Sequence, residues 1–205
     1  MIAIIDYGLG NIKAFVNVYH KFDIPVRIAS GISDLESVTK IILPGVGAFD
    51  TAISRLNNSG MRERLDKLVI EDRVPVLGIC VGMQIMAKSS EEGILPGLGW
   101  VDAVVKKFDE TKIMAKTHLP HMGWNEVMPV TENHLFDHIE VNSRFYFLHS
   151  YYFSCTRPED EIAISNYGYD FACAIRFKNI YGIQFHPEKS HHSGIMLLKN
   201  FATLS

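Results

Sequence analysis

Apolar positions in the first half of the chain form short unbroken runs separated by longer, one-sided stretches. Residues 2–6 (IAIID) make an apolar run closed by Asp6, Gly8 and Gly10, which predicts a buried strand ending in a turn. Apolar residues then recur at Ile12, Phe15, Val16, Tyr19 and Phe22, the spacing of a helix over 11–22. Runs at 25–29, 40–43 and 74–79 predict three more strands. A brief helical turn is expected at 34–38. An amphipathic helix is expected at 61–71, with Met61, Leu65, Leu68 and Val69 on one side, and another from Gly82. Repeated βα units of this kind predict a parallel sheet with helices on both faces. The second half changes character. Segments 101–108, 144–153, 161–167, 171–177 and 179–185 read as strands with few helices between them, before a last helix at 194–203. The expected fold is α/β, a three-layer sandwich with a mostly parallel central sheet and added antiparallel strands. No repeat or linker divides it, so 1–205 is expected to be a single domain.

Composition narrows the class. With 205 residues and 47% apolar content, the chain is long and apolar enough for one real core. Lys and Arg total 20 against 23 Asp and Glu, a net charge of −3, which argues against a nucleic-acid partner. No apolar run approaches the ~18 residues of a membrane-spanning helix. The opening MIAIIDYGLGN lacks the basic region and cleavage site of a signal peptide. Cys80, Cys155 and Cys173 are odd in number with no CxxC pair, so a reducing, cytoplasmic setting without disulfides or structural zinc is expected. His134 and His138 stand four apart and would share a face if helical. No third metal ligand accompanies them, so a surface pair is expected, with no metal and no cofactor.

The sharpest local feature is Gly78-Ile79-Cys80-Val81-Gly82, a buried strand running straight into a helix with a cysteine at the junction. This is the cysteine form of a nucleophile elbow, whose sharp turn needs small flanking residues because a side chain at either glycine would crowd the approach. A helix N-terminus there favours the thiolate. The same pentapeptide also fits a buried cysteine at an ordinary βα turn. A thiolate doing acyl chemistry needs a proton shuttle and a group to orient it. His186 in Gln184-Phe185-His186-Pro187-Glu188 follows an apolar strand, and Glu188 is spaced to reach the far imidazole nitrogen. Pro44-Gly45-Val46-Gly47 follows the strand at 40–43 and would point backbone N–H groups at an oxyanion opposite Cys80, with Val81 as the other donor. It would equally serve as a phosphate-binding turn or a plain tight turn, though no Gly-Lys-Ser/Thr follows as in a Walker loop.

Taken together, PGVG at 44–47, GICVGMQ at 78–84 and QFHPEKS at 184–190 resemble the class I (triad) glutamine amidotransferases in order and spacing. DYGLGN at 6–11, HMGWN at 121–125, FLHSY at 147–151 and LLKNF at 197–201 are similar to the HisH branch, the glutaminase subunits of imidazole glycerol phosphate synthase. The resemblance implies that Cys80 attacks the carboxamide of L-glutamine, His186 shuttles the proton and Glu188 orients it. It implies oxyanion donors at Val46 or Gly47 and Val81, and glutamine-binding roles for Gly45, Gln84, Ser150 and Tyr151. Gln84 sits one turn after Cys80 on the same helix face, which gives its role a physical basis. The resemblance further implies a heterodimer with a (β/α)8-barrel synthase subunit, HisF. That partner uses the ammonia to convert PRFAR into imidazole glycerol phosphate and AICAR in histidine biosynthesis. The interface would involve Asn11, Trp124, Asn125, Tyr146 and Lys189. Ser150 stands where the branch often has Thr, and His191-His192 follow QFHPEKS, so a HisF-like partner in surface-glycan amidation is the alternative. Glycines at 45 and 47 would let the PGVG turn flip a peptide when the partner engages.

Overall fold

The computed structural model describes residues 1–113 and 118–204. The first half supplies strands β1 (Ile2–Ile5), β2 (Val26–Ala29), β3 (Lys40–Gly45) and β4 (Val76–Cys80). The second half supplies β5 (Ser89–Ser90), β6 (Ala103–Lys107), β7 (His121–Glu126), β8 (Met128–Pro129), β9 (Arg144–His149), β10 (Tyr151–Cys155), β11 (Glu161–Asn166), β12 (Asp170–Phe177) and β13 (Ile180–Ile183). Five helices are described: α1 (Ile12–His20), α2 (Phe49–Asn58), α3 (Arg62–Asp66), α4 (Val81–Gln84) and α5 (His191–Thr203).

The main sheet runs β2-β1-β3-β4-β13-β12-β10-β6-β5, with β11 and β8 branching from β12. Its first five strands are parallel. From β13 onward the pairs β13–β12, β12–β10 and β10–β6 are antiparallel. The parallel core with antiparallel additions is thus the architecture read from the apolar pattern. The chain moves one way from β1 to β2 and the other way from β3 to β4. Right-handed crossovers therefore put α1 and α2 on opposite faces. α5 packs beside α1, and α2 beside α4. The strand order reverses at β1, so the carboxyl ends of β1, β3 and β4 border a crevice of the kind where such sheets bind ligands.

Several boundaries differ from the sequence expectation. α2 is absent from that reading, although Phe49, Ala52, Ile53 and Leu56 are buried at helical spacing. Its start carries no local signal: Ala48 offers no side-chain cap. The Glu92 carboxylate, distant in sequence, accepts from the Phe49 N–H at 2.8 Å instead. The helix expected from Gly82 stops after Gln84. The carbonyls of Ile85, Met86 and Ala87 accept from the amides of Leu98, Val101 and Gly99, which ends the helical ladder. The helix expected over 61–71 is α-helical at Arg62–Asp66 and closes with a π turn at Lys67–Glu71. The turn expected at 34–38 lies at Ile32–Leu35. The strand expected over 144–153 is two strands in two sheets. β9 pairs with β7 in a separate two-stranded ribbon, and β10 joins the main sheet, with Ser150 at the break.

Candidate active site

Cys80 is the last residue of β4 and the residue preceding α4, with φ 55° and ψ −115°. A non-glycine residue at positive φ is strained and persists only where its surroundings fix it. They do so here. A Cβ at Gly82 would run into the Leu43 carbonyl of β3, and one at Gly78 would lie 2.7 Å from the Met83 Cα. The two glycines serve backbone packing beneath the turn, whereas the sequence suggested that they clear the approach to the nucleophile. Gly45 pairs with Cys80 across β3 and β4, and the Tyr7 hydroxyl donates to the Pro44 carbonyl at 2.7 Å.

β13 pairs with β4 with Ile183 opposite Ile79, so the chain leaving β13 brings His186 alongside Cys80. The His186 N–H donates to the Tyr146 carbonyl at 2.9 Å, tying this segment to the ribbon. His186 Nδ1 lies 3.0 Å from Glu188 Oε1, with side chains only 5% and 3% exposed. Burial alone would lower the His186 pKa. The neighbouring Cys80 sulfur, then the hydrogen bond and charge of Glu188, outweigh that, and the pKa is pushed up to about 10. Imidazolium is therefore the favoured form between a sulfur and a carboxylate.

These groups open onto a cleft of about 340 Å³, at the small end of ligand pockets. Cys80, Val81, Gln84, Val46, Gly47, Ser150, Tyr151, His186 and Lys189 all border it. Gly45 does not reach it. It is buried against Gly82 and Tyr7 beneath the floor. Glu188 stands behind His186. Asn11 caps α1 and is exposed. In the ribbon, register alternates side chains between two faces. Met122, Trp124, Tyr146 and Leu148 point outward, and His121, Asn125, Phe147 and His149 point inward. Met122, Trp124 and Leu148 are exposed, as is Val46 at the mouth. Trp124 stacks on His191 at 4.9 Å, and Lys189 lies over the Tyr146 ring at 5.4 Å. Asn125, expected at an interface, is only partly exposed and donates inward to the Asn166 carbonyl at 2.6 Å.

Four site residues carried no assigned role in the sequence. Gln184 Nε2 lies 3.7 Å from Cys80 Sγ, and its Oε1 accepts from Gln84 Nε2 at 2.9 Å. Among the described residues, Glu92 is the one carboxylate bordering the cleft. His149 lines it too, bonded to His121 behind. Gln184, His121 and His149 each lie within a motif quoted above, whereas Glu92 sits in an unpatterned loop. His134 and His138 border a different cleft, beside α5. The helix that would align them is a single 3-10 turn, His134–Phe136, with His134 paired to Asp137 at 2.9 Å. No metal-binding cluster occurs among the described residues.

Residues 3–204 match the family model for class-I glutamine amidotransferases. The chain is 56% identical over 204 residues to the imidazole glycerol phosphate synthase subunit HisH of Bdellovibrio bacteriovorus, covering 100% of both chains. It is 51% identical to the HisH subunit of Leptospira interrogans, again covering 100% of both. Its fold is similar to a crystal structure of a glutamine amidotransferase, with a TM-score of 0.74 at 17% identity over 99% of each chain. A match over nearly the whole chain, with relatives this similar end to end, establishes that the chain belongs to the class-I glutamine amidotransferase family.

Proposed function

We propose that the chain is the glutaminase subunit of an imidazole glycerol phosphate synthase, releasing ammonia from L-glutamine at Cys80. The observation that carries this is a buried His186 that borders the same cleft as Cys80 and is bonded to Glu188 at 3.0 Å, where two parallel strands end. Cys80 Sγ adds to the carboxamide carbon, and the negative charge moves to the amide oxygen. The Val81 N–H and one from Val46-Gly47 are suited to receive that oxyanion. His186 protonates the nitrogen, the C–N bond breaks, and ammonia leaves a γ-glutamyl thioester. Water then adds, its proton passing to His186, and glutamate departs with the thiolate restored. Glu188 holds the imidazole in register throughout. For binding, Gln84 and the Ser150-Tyr151 backbone suit the carboxamide end, and Glu92 suits the α-ammonium. Gly45 fits a supporting role under the turn. Gly45 is locked by packing, so a peptide flip in the turn falls to the exposed Val46–Gly47 segment.

Ammonia reacts only uncharged, so a second active site must receive it away from bulk water. Val46 and Leu148 border the cleft, and the exposed Met122 and Trp124 share the outward ribbon face of Leu148; such an apolar patch suits a partner subunit. We assign that partner as a HisF-type (β/α)8 barrel, with Asn11, Trp124, Tyr146 and Lys189 at the rim and Asn125 behind them. The assembly is a cytoplasmic heterodimer in this reading. Among the described residues, no helix is long and apolar enough to cross a membrane. The test is glutamate release by the purified chain, alone and with a co-expressed HisF, with and without PRFAR. Release that needs HisF and rises with PRFAR is expected. Equal release by the chain alone overturns the partner assignment, and silence throughout overturns this pathway.

A further inference from the structure

Two buried histidines outside the triad form a chain of hydrogen bonds that ends on the cleft. His149 Nδ1 lies 2.7 Å from the Tyr151 carbonyl, so that nitrogen carries a proton and donates. His149 Nε2 then accepts from His121 Nδ1 at 3.0 Å, and His121 Nε2 accepts from Asn125 Nδ2 at 3.3 Å. Every donor points the same way, from the ribbon toward Tyr151. The pattern works only if both rings are neutral. Their burial among aromatic rings enforces that, pushing His121 down to about 4 and His149 to about 3, where the charges of His121 and His186 act in the same direction. His121 is held flat between Tyr167 and Phe147, with ring centres 4.1 and 4.8 Å away.

The Tyr151 carbonyl also accepts from Gln84 Nε2 at 3.1 Å, and the second hydrogen of that nitrogen goes to Gln184 Oε1. Gln84 is thereby oriented, with its Oε1 left as its only uncommitted polar atom facing the cleft. We propose that His149, braced by His121 and Asn125, is a positioning residue that fixes the Tyr151 carbonyl and through it the Gln84 amide, and so sets how tightly the cleft holds glutamine. This rests on the reading that the cleft binds glutamine.

The test is the rate at which Cys80 is labelled, read by mass spectrometry on the purified chain with two reagents. One is 6-diazo-5-oxo-L-norleucine, a glutamine-shaped alkylating agent. The other is iodoacetamide, which needs no glutamine pocket. His149→Leu, which has no donor, should slow labelling by the glutamine-shaped reagent about tenfold and leave iodoacetamide labelling unchanged. His149→Asn, which can place an amide N–H where Nδ1–H now stands, should label within about twofold of the parent. Equal slowing of both reagents, no slowing of either, or loss in His149→Asn matching that in His149→Leu overturns the positioning role. If His149→Leu does not fold, Asn125→Ala carries the test: selective slowing of about threefold supports the proposal, and unchanged labelling overturns it. A parent chain that shows no pocket-dependent labelling, with L-glutamine giving no protection, overturns the glutamine reading and this inference with it.

Discussion

On one wall of the cleft, Cys80 is held by backbone. Its positive φ is fixed by sheet pairing to Gly45, by Gly82 packed against the Leu43 carbonyl of the neighbouring strand and by Gly78 packed against α4. On the other wall, the β7–β9 ribbon stands apart from the main sheet and is organised by side chains. Its inner face is a ladder of imidazoles and phenyl rings, and its outer face is an apolar patch. A cysteine held at positive φ needs a scaffold that cannot relax, and parallel strands buried on both faces provide it. A surface that meets a partner and adjusts to a ligand is better drawn from a small element with fewer neighbours.

The largest expected effect lies on the rigid wall. Cys80→Ala should lower glutamate release by about 10³-fold or more with little change in folding. It also removes the sulfur that helps raise the His186 pKa, so the imidazole should titrate well below about 10, by NMR. An unchanged titration would mean that His186 is held up by Glu188 alone. Glu188→Gln should reduce kcat by ~10²–10⁴-fold with a small effect on KM, because the imidazole loses the partner that orients it. A matching rise in KM would move Glu188 from orienting the base to shaping the cleft.

Gly82→Ala should destabilise the fold by ~3 kcal/mol, because the new methyl meets the Leu43 carbonyl and neither backbone has room to move. Gly47→Ala has open space around it and should cost only ~1 kcal/mol, through its φ of 89°. Similar losses in thermal melts of the two variants would erase the contrast between a locked elbow and a free turn. On the ribbon, Trp124→Ala should leave stability within about 0.5 kcal/mol but weaken partner binding by ~2 kcal/mol. An unchanged affinity by titration calorimetry would remove the outer face from the interface.

A further effect is a pH dependence. His121 and His149 are neutral when folded and protonate near pH 6.5 when unfolded. The unfolded chain therefore binds more protons below that pH, and stability should fall as pH drops from about 6.5 toward about 4. Replacing His149 with Asn should flatten that slope in denaturant titrations, whereas an identical slope would mean that the pair does not stay neutral.

The same contrast governs what could be read from sequence. The parallel wall was legible because buried parallel strands are unbroken apolar runs and their turns carry glycines, so Cys80, PGVG and the strand before His186 stood out. The ribbon was not. Residues 144–153 are apolar enough to read as one strand, and only tertiary pairing divides them at Ser150 between two sheets. β7 carries Gly123, Asn125 and Glu126, which mask its alternation. α2 was missed because its cap comes from Glu92, which no local window includes. The triad spacing was visible, but Gln184 at the sulfur and the two-histidine chain depend on residues brought together across the fold.

The most direct test of the account is acid-quenched mass spectrometry of the chain turning over glutamine with its partner. The account predicts a γ-glutamyl group on the peptide bearing Cys80, present in the parent and absent in Cys80→Ser. Steady glutamate release with Cys80 unmodified at every quench time, and retained in the serine variant, would contradict it.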